Sequence, residues 1–139
     1  SHDLDGIPSS AMSGQIVVAG ALISPAGLLV AQRVRPPELA GLWELPGGKL
    51  ADGETDAQGL ARELREELGI EVTVGARLGA DVVLPNAMTL RAYLVTCTAG
   101  SPRAHDHRAL RWVRAQELDT LDWVPADRGW IPDLAGALR

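Results

Sequence analysis

Phenylalanine is absent from this 139-residue chain, and tyrosine and cysteine occur once each. A lone cysteine excludes an intramolecular disulfide, so packing alone must hold the fold, as suits a reducing cytosol. Cys97 closes the apolar run Leu94-Val95-Thr96-Cys97, where a small buried residue is expected. No apolar run approaches the ~18–20 residues that cross a bilayer, and no membrane association is expected. Basic residues are outnumbered 13 to 18, for a net charge of −5. That balance speaks against gripping a DNA or RNA polymer through a basic stripe. An acidic protein still binds a polyphosphate when divalent cations neutralise both sides.

With 46% hydrophobic residues, the chain can bury a core built from Val, Leu, Ile and Ala. Its length suits one domain of ~100–150 residues. The start, Ser1 to Ala11, has neither signal-peptide pattern nor periodicity and is expected to be a vector-derived tail ahead of a domain at 12–139. There is no internal repeat or low-complexity segment.

Residues 15–23 and 28–32 are β-branched and apolar around the turn Ser24-Pro25-Ala26-Gly27, which predicts a hairpin. A Pro-containing loop spans 33–42, Trp43-Glu44-Leu45 is short and extended, and Pro46-Gly47-Gly48 is expected to break the chain. The best-marked helix runs from about Asp56 to Leu68. Thr55 and Gln58 form a capping-box pattern, Asp56 puts negative charge at the positive helix end, and Gly69 stops it. Strands are expected over 72–84, 88–98 and 110–113, a helical turn over 115–118, and a helical tail over 126–138 that Pro132 either starts or kinks. This order predicts an α+β fold of α/β/α layers.

At 100° per residue, Ala57, Leu60, Ala61, Leu64 and Leu68 share an arc of about 100° that should pack on the sheet. Glu63, Glu66 and Glu67 fill a neighbouring arc, so three carboxylates are expected to converge beside the buried face. Like charges at these spacings repel by a few tenths of a kcal/mol. A hard divalent cation would relieve the conflict. The plainer reading is a solvated acidic face with an Arg62–Glu66 ion pair.

Context decides between them. Gly48, Glu54, Arg62-Glu63-Leu64, Glu66-Glu67, Gly69 and Ile70 match the Nudix box, G-x5-E-x7-R-E-U-x-E-E-x-G-U with U aliphatic, at every fixed position. The chain therefore resembles the Nudix hydrolases, and the likeness runs from Met12 to Arg139. Gln15 to Gly48 and Asp122 to Asp127 look like the MutT-type branch, and the runs Val30 to Gly41 and Asp122 to Trp130 are similar to its mycobacterial members that act on cytidine triphosphates.

The resemblance implies an α/β/α sandwich with a mixed β-sheet and Mg²⁺-dependent hydrolysis, with Mn²⁺ as a substitute. Water would attack the β-phosphorus of a nucleoside triphosphate, releasing monophosphate and pyrophosphate. Glu63, Glu66, Glu67 and the Gly47 carbonyl would hold metal, and Glu63 could also orient or deprotonate the water. Glu54 would steady the ligands through Arg62. Asp106 lies where the branch has a longer acidic residue that ligates metal or activates water. Arg33 corresponds to a contact for the α-phosphate, and Lys49 is a second phosphate candidate. The pair His105 and His107 around Asp106 lacks the ligand count of a transition-metal site.

Asp127 falls where the branch reads the base. An ionised Asp only accepts hydrogen bonds, which suits the cytosine amino group, leaves the adenine amino group open and opposes guanine O6. Its alternative is to cap the last helix. Leu45, Met88 and Trp123 are candidate pocket walls or plain core. The expectation is a cytoplasmic CTP/dCTP pyrophosphohydrolase, admitting 5-methyl-dCTP if an apolar wall faces C5. It would take a small-molecule nucleotide as partner and act as a monomer, with a dimer left open. The alternatives are a pyrophosphatase sanitising 8-oxo-dGTP, an ADP-ribose hydrolase, and a non-catalytic Nudix-fold binding module.

Overall fold

The computed structural model describes residues 15–139, so the tail expected at 1–11 lies outside the described residues. Strand β1 (Ile16–Ser24) turns into β2 (Gly27–Gln32), followed by the short β3 (Trp43–Glu44) and β4 (Gly47–Lys49). Helix α1 (Asp56–Leu68) leads to β5 (Glu71–Val83), β6 (Thr89–Ala99) and β7 (Ala109–Val113). Two 3₁₀ turns (Ala115–Thr120 and Pro125–Trp130) precede α2 (Ile131–Ala137). Pro132 stands in the first turn of α2, where its missing N–H costs no helical bond.

The strands form a mixed sheet in the order β3-β2-β1-β6-β5, with β4 added to β1 and β7 to β2. Only β1 and β6 run parallel among these pairs. Alternation along β1 divides the core. Val18 and Leu22 face α1 and pack with Leu60, Leu64, Leu68 and Val95. Ala19 and Ala21 face the C-terminal layer, with Leu45, Trp123, Trp130 and Leu134. The sheet is thus the middle of three layers, as expected.

Local chemistry sets the helix ends. Thr55 and Gln58 form the reciprocal capping box, and Gly69 takes the left-handed conformation at φ 72°. Asp56 is tied to the sheet by Arg91 at 2.9 Å and Tyr93 at 2.5 Å, which fixes how α1 lies on it.

Three expectations need correction. Pro46-Gly47-Gly48 does not break the chain: Gly47 to Lys49 pairs antiparallel with Val17 to Ala19 of β1. Glycine permits it, because a Cβ on Gly47 would collide with the Val18 carbonyl. Ala57, at the helix start, is exposed and leaves the apolar stripe to the leucines. Cys97 is only half-buried, and its thiol reaches the Ala99 and Gly100 carbonyls at 3.4 and 3.5 Å.

Candidate active site

The acidic helix turns two of its three carboxylates inward. Glu63 is 1% exposed and Glu67 5%, one helical turn apart against the sheet. Glu66 points outward, its side chain 56% exposed, and pairs with Arg62 at 3.2 Å. The expected convergence of three is therefore met by two, and among the described residues no three His, Cys, Asp or Glu side chains form a ready-made cation cage. The physical reason is Arg62. Its guanidinium takes Glu54 with both forks, Nε to Oε2 at 2.6 Å and Nη2 to Oε1 at 2.9 Å. It also donates to Glu63 at 3.1 Å and to the Lys49 carbonyl at 3.1 Å.

Charge follows this geometry. The bidentate bond from Arg62, with the Ala51 amide, holds the Glu54 carboxyl down at about 2. The same bond to Glu54 makes Arg62 harder to deprotonate. Burial pushes the Glu67 carboxyl above the usual range, and the Glu63 charge adds to it while His107 works the other way. Two buried carboxyl groups one helical turn apart are hard-oxygen donors suited to a divalent cation. The β4 backbone lies directly on Glu63: a Cβ at Gly48 would come within 2.6 Å of its Oε2. The donor set fits Mg²⁺ or Mn²⁺.

Beside β4 opens a cleft of about 560 Å³, within the range of small-molecule sites. Arg33, Glu44, Gly47, Gly48 and Lys49 contribute to its lining. So do Leu45, Leu84, Asn86, Met88, Val124 and Asp127. Glu63, Glu66 and Glu67 are not among its walls, and Glu63 lies against the wall at Gly48. Trp123 is core, with its indole N–H donating to the Leu118 carbonyl at 2.8 Å.

Asp127 is 4% exposed. It does not cap the last helix; its Oδ2 accepts the Leu45 N–H at 2.8 Å. Strand β3 brings them together, because Trp43 exchanges backbone bonds with Asp122 and Val124 at 2.8 Å each. Burial pushes the Asp127 carboxyl up to about 8, and the nearby Glu44 charge adds to it, against the Leu45 bond and the Arg33 charge. Burial thus favours the protonated Asp127, a carboxylic acid that both donates and accepts, over the ionised, acceptor-only form expected from the sequence.

The loop before β7 closes onto the end of α1. The Arg103 amide donates to the Leu68 carbonyl at 2.9 Å, and the His105 amide to that of Glu67 at 3.2 Å. Asp106, half-buried on this loop, pairs with Arg35 at 3.3 Å. His105 and His107 part company. His105 Nδ1 meets the Glu66 carbonyl at 3.2 Å, while His107 Nε2 meets Glu44 Oε2 at 2.9 Å. Glu44 also accepts from Arg33 at 2.9 Å. Burial acts to raise the Glu44 carboxyl, but the His107 and Arg33 bonds outweigh it and hold it below its ordinary value.

The NUDIX domain model matches residues 14–134. The chain belongs to the Nudix family. This Nudix hydrolase is 64% identical over 131 residues to a Mycobacterium tuberculosis (H37Rv) protein called "Putative 8-oxo-dGTP diphosphatase 2", covering 92% of this chain and 93% of that one. It is 42% identical over 115 residues to the CTP pyrophosphohydrolase of Escherichia coli, covering 81% and 85%. Its fold superimposes on the solution structure of the E. coli ORF135 protein with a TM-score of 0.77 at 34% identity, covering 93% and 94%. Like these relatives it is a nucleotide pyrophosphatase acting on small molecules. No helix among the described residues is long and apolar enough to cross a membrane.

Sequence reasoning passed over Glu44 as a chemical group and weighed His107 only as a metal ligand. Nothing local marks them: the signal is that β3 and β7 both pair with β2, which places Glu44 and His107 beside Arg33.

Proposed function

We propose that this Nudix hydrolase converts CTP and dCTP, and 5-methyl-dCTP, to the monophosphate and pyrophosphate in the presence of Mg²⁺. The observation that carries the reading is Asp127, which among the described residues lining the cleft is the buried polar side chain and stands there with the apolar Leu45, Met88 and Val124. Its acid form offers one donor and one acceptor, which matches cytosine N3 and N4 side by side. An 8-oxoguanine carries more polar edge groups than these walls can satisfy, and each buried group without a partner costs about 1–3 kcal/mol. The aliphatic walls suit a methyl group at C5. Similarity to the E. coli CTP pyrophosphohydrolase supports the same choice.

Glu63, Glu66, Glu67 and the Gly47 carbonyl would hold the divalent ion. When bound it neutralises phosphate charge and lowers the pKa of the attacking water. Glu54 and Arg62 steady the Glu63 carboxylate, and Glu63 or Asp106 takes the proton from the water. The new bond joins that water oxygen to the β-phosphorus; the bond to the bridging oxygen breaks, and the monophosphate leaves with it. Arg33 and Lys49, which line the cleft with Gly47 and Gly48, face the phosphates.

A second reading is an 8-oxo-dGTP diphosphatase, favoured by the name of the 64% identical relative. The test is a panel of dCTP, CTP, 5-methyl-dCTP, 8-oxo-dGTP and dGTP with Mg²⁺, comparing kcat/KM. Preference for the cytidine nucleotides is expected. Preference for 8-oxo-dGTP overturns the cytosine reading in favour of the second.

A further inference from the structure

Arg33 enters the cleft already clamped. Its Nη1 donates to Glu44 Oε1 and its Nε to the Arg35 carbonyl, each at 2.9 Å. That leaves Nη2 without a partner among the described residues. Glu44 is gripped from the opposite side by His107, whose side chain is 4% exposed. Because Glu44 accepts from Nε2, that nitrogen carries the proton. Nδ1 is buried with no partner among the described residues, so one bond to Glu44 is all that fixes the ring by polar contact.

The backbone makes this chain of side chains rigid. The Arg33 amide donates to the Leu42 carbonyl at 2.9 Å, and the Arg108 amide to that of Gln32 at 2.8 Å. The strand ends that carry Arg33, Glu44 and His107 are therefore stitched together around the end of β2. A half-buried carboxylate with both oxygens engaged has one orientation, and so does the guanidinium it holds.

We propose that His107 is a positioning residue for the nucleotide's phosphates: through Glu44 it holds the Arg33 guanidinium at the cleft with one nitrogen free to donate. This rests on the phosphate role of Arg33 proposed above. A donor fixed in advance meets its anion without the cost of ordering, so losing His107 should weaken nucleotide binding before it slows chemistry.

The test is a mutant cycle on the full chain with the best nucleotide of the panel and Mg²⁺, reading KM and kcat separately. His107→Leu should raise KM about ten-fold with kcat within about three-fold, and His107→Gln, which keeps a donor toward Glu44, should recover most of it. In an Arg33→Ala background, His107→Leu should change KM less than about two-fold, because the two residues act as one unit. Should His107→Leu fail to fold, Glu44→Gln takes its place in the cycle with the same expectation. Equal KM effects in both backgrounds, or a fall in kcat at unchanged KM, overturn the proposal. An Arg33→Ala enzyme with the parent's KM removes the phosphate role of Arg33 and the proposal together. Absence of pyrophosphate release from the parent with every nucleotide fails the functional reading instead.

Discussion

The Leu45 amide donates to Asp127 Oδ2 at 2.8 Å across 82 positions of sequence. That bond joins the segment leading into the glycine strand to the turn before the last helix, and it fixes Asp127 in the lining of the cleft. Because Asp127 is buried and near the Glu44 charge, it keeps its proton up to about 8. The acid resembles an amide in what it offers a base.

The pH dependence of stability tests this proton. Asp127 ionises near 3.8 when unfolded and near 8 when folded. Between those values the unfolded chain binds fewer protons than the folded one, so this group makes stability fall as pH rises through the window, levelling off above 8. Asn at the same position accepts the Leu45 amide and carries no titrating proton. Urea unfolding of Asp127→Asn and parent at pH 4, 6 and 8, without nucleotide, should show the variant gaining at least about 2 kcal/mol on the parent across the series. Parallel profiles would mean that Asp127 is already ionised in the folded protein.

Glu54 offers a second prediction. It engages Arg62 with both oxygens, and Arg62 in turn touches Glu63 and Glu66. Glu54→Gln should leave the fold intact, since it caps no helix, yet loosen the guanidinium that steadies Glu63. The expected result is a loss of about 10–100-fold in kcat, the scale of disturbed partners of metal ligands, with a higher Mg²⁺ concentration for half-activation. An unchanged Mg²⁺ titration would place Glu54 outside the metal site.

Glu67 is the strictest test of catalysis by the acidic helix. Gln fills the same volume in its buried place but brings no charge to a cation. Pyrophosphate release by Glu67→Gln should fall by more than about 100-fold, while its thermal midpoint in metal-free buffer stays within a few degrees of the parent. Retained turnover would remove Glu67 from the metal ligands.

Local signals explain what the sequence made legible. The capping box of Thr55 and Gln58, the Gly69 stop and the Leu60, Leu64, Leu68 stripe depend on neighbours within a turn or two, and each could be read directly. The Glu54–Arg62 pair spans eight positions around one helix start and was equally accessible through the family motif. Features set by strand pairing were not. Glu44 and His107 meet Arg33 only because two distant strands flank β2. The Asp127 proton depends on burial, which no residue pattern carries. Glu66 shows the same limit: helical geometry fixes its direction, but its pairing with Arg62 sets where its carboxylate lies.

Two adjacent glycines in β4 separate stability from chemistry. A Cβ at Gly47 would collide with the Val18 backbone, whereas one at Gly48 would press on the Glu63 carboxyl group. Backbone has no rotamer with which to yield, so Gly47→Ala should unpair β4 from β1 and destabilise by about 1–3 kcal/mol. A carboxylate can swing away, so Gly48→Ala should cost less stability and more activity, moving Glu63 out of line with Glu67. Chemical denaturation and kcat/KM measured on both variants decide the matter. The expected pattern is a low midpoint for the first, and for the second a near-parental midpoint with turnover down at least about ten-fold. Should Gly48→Ala keep full activity, Glu63 does not need its place against β4, and the metal role assigned to it fails.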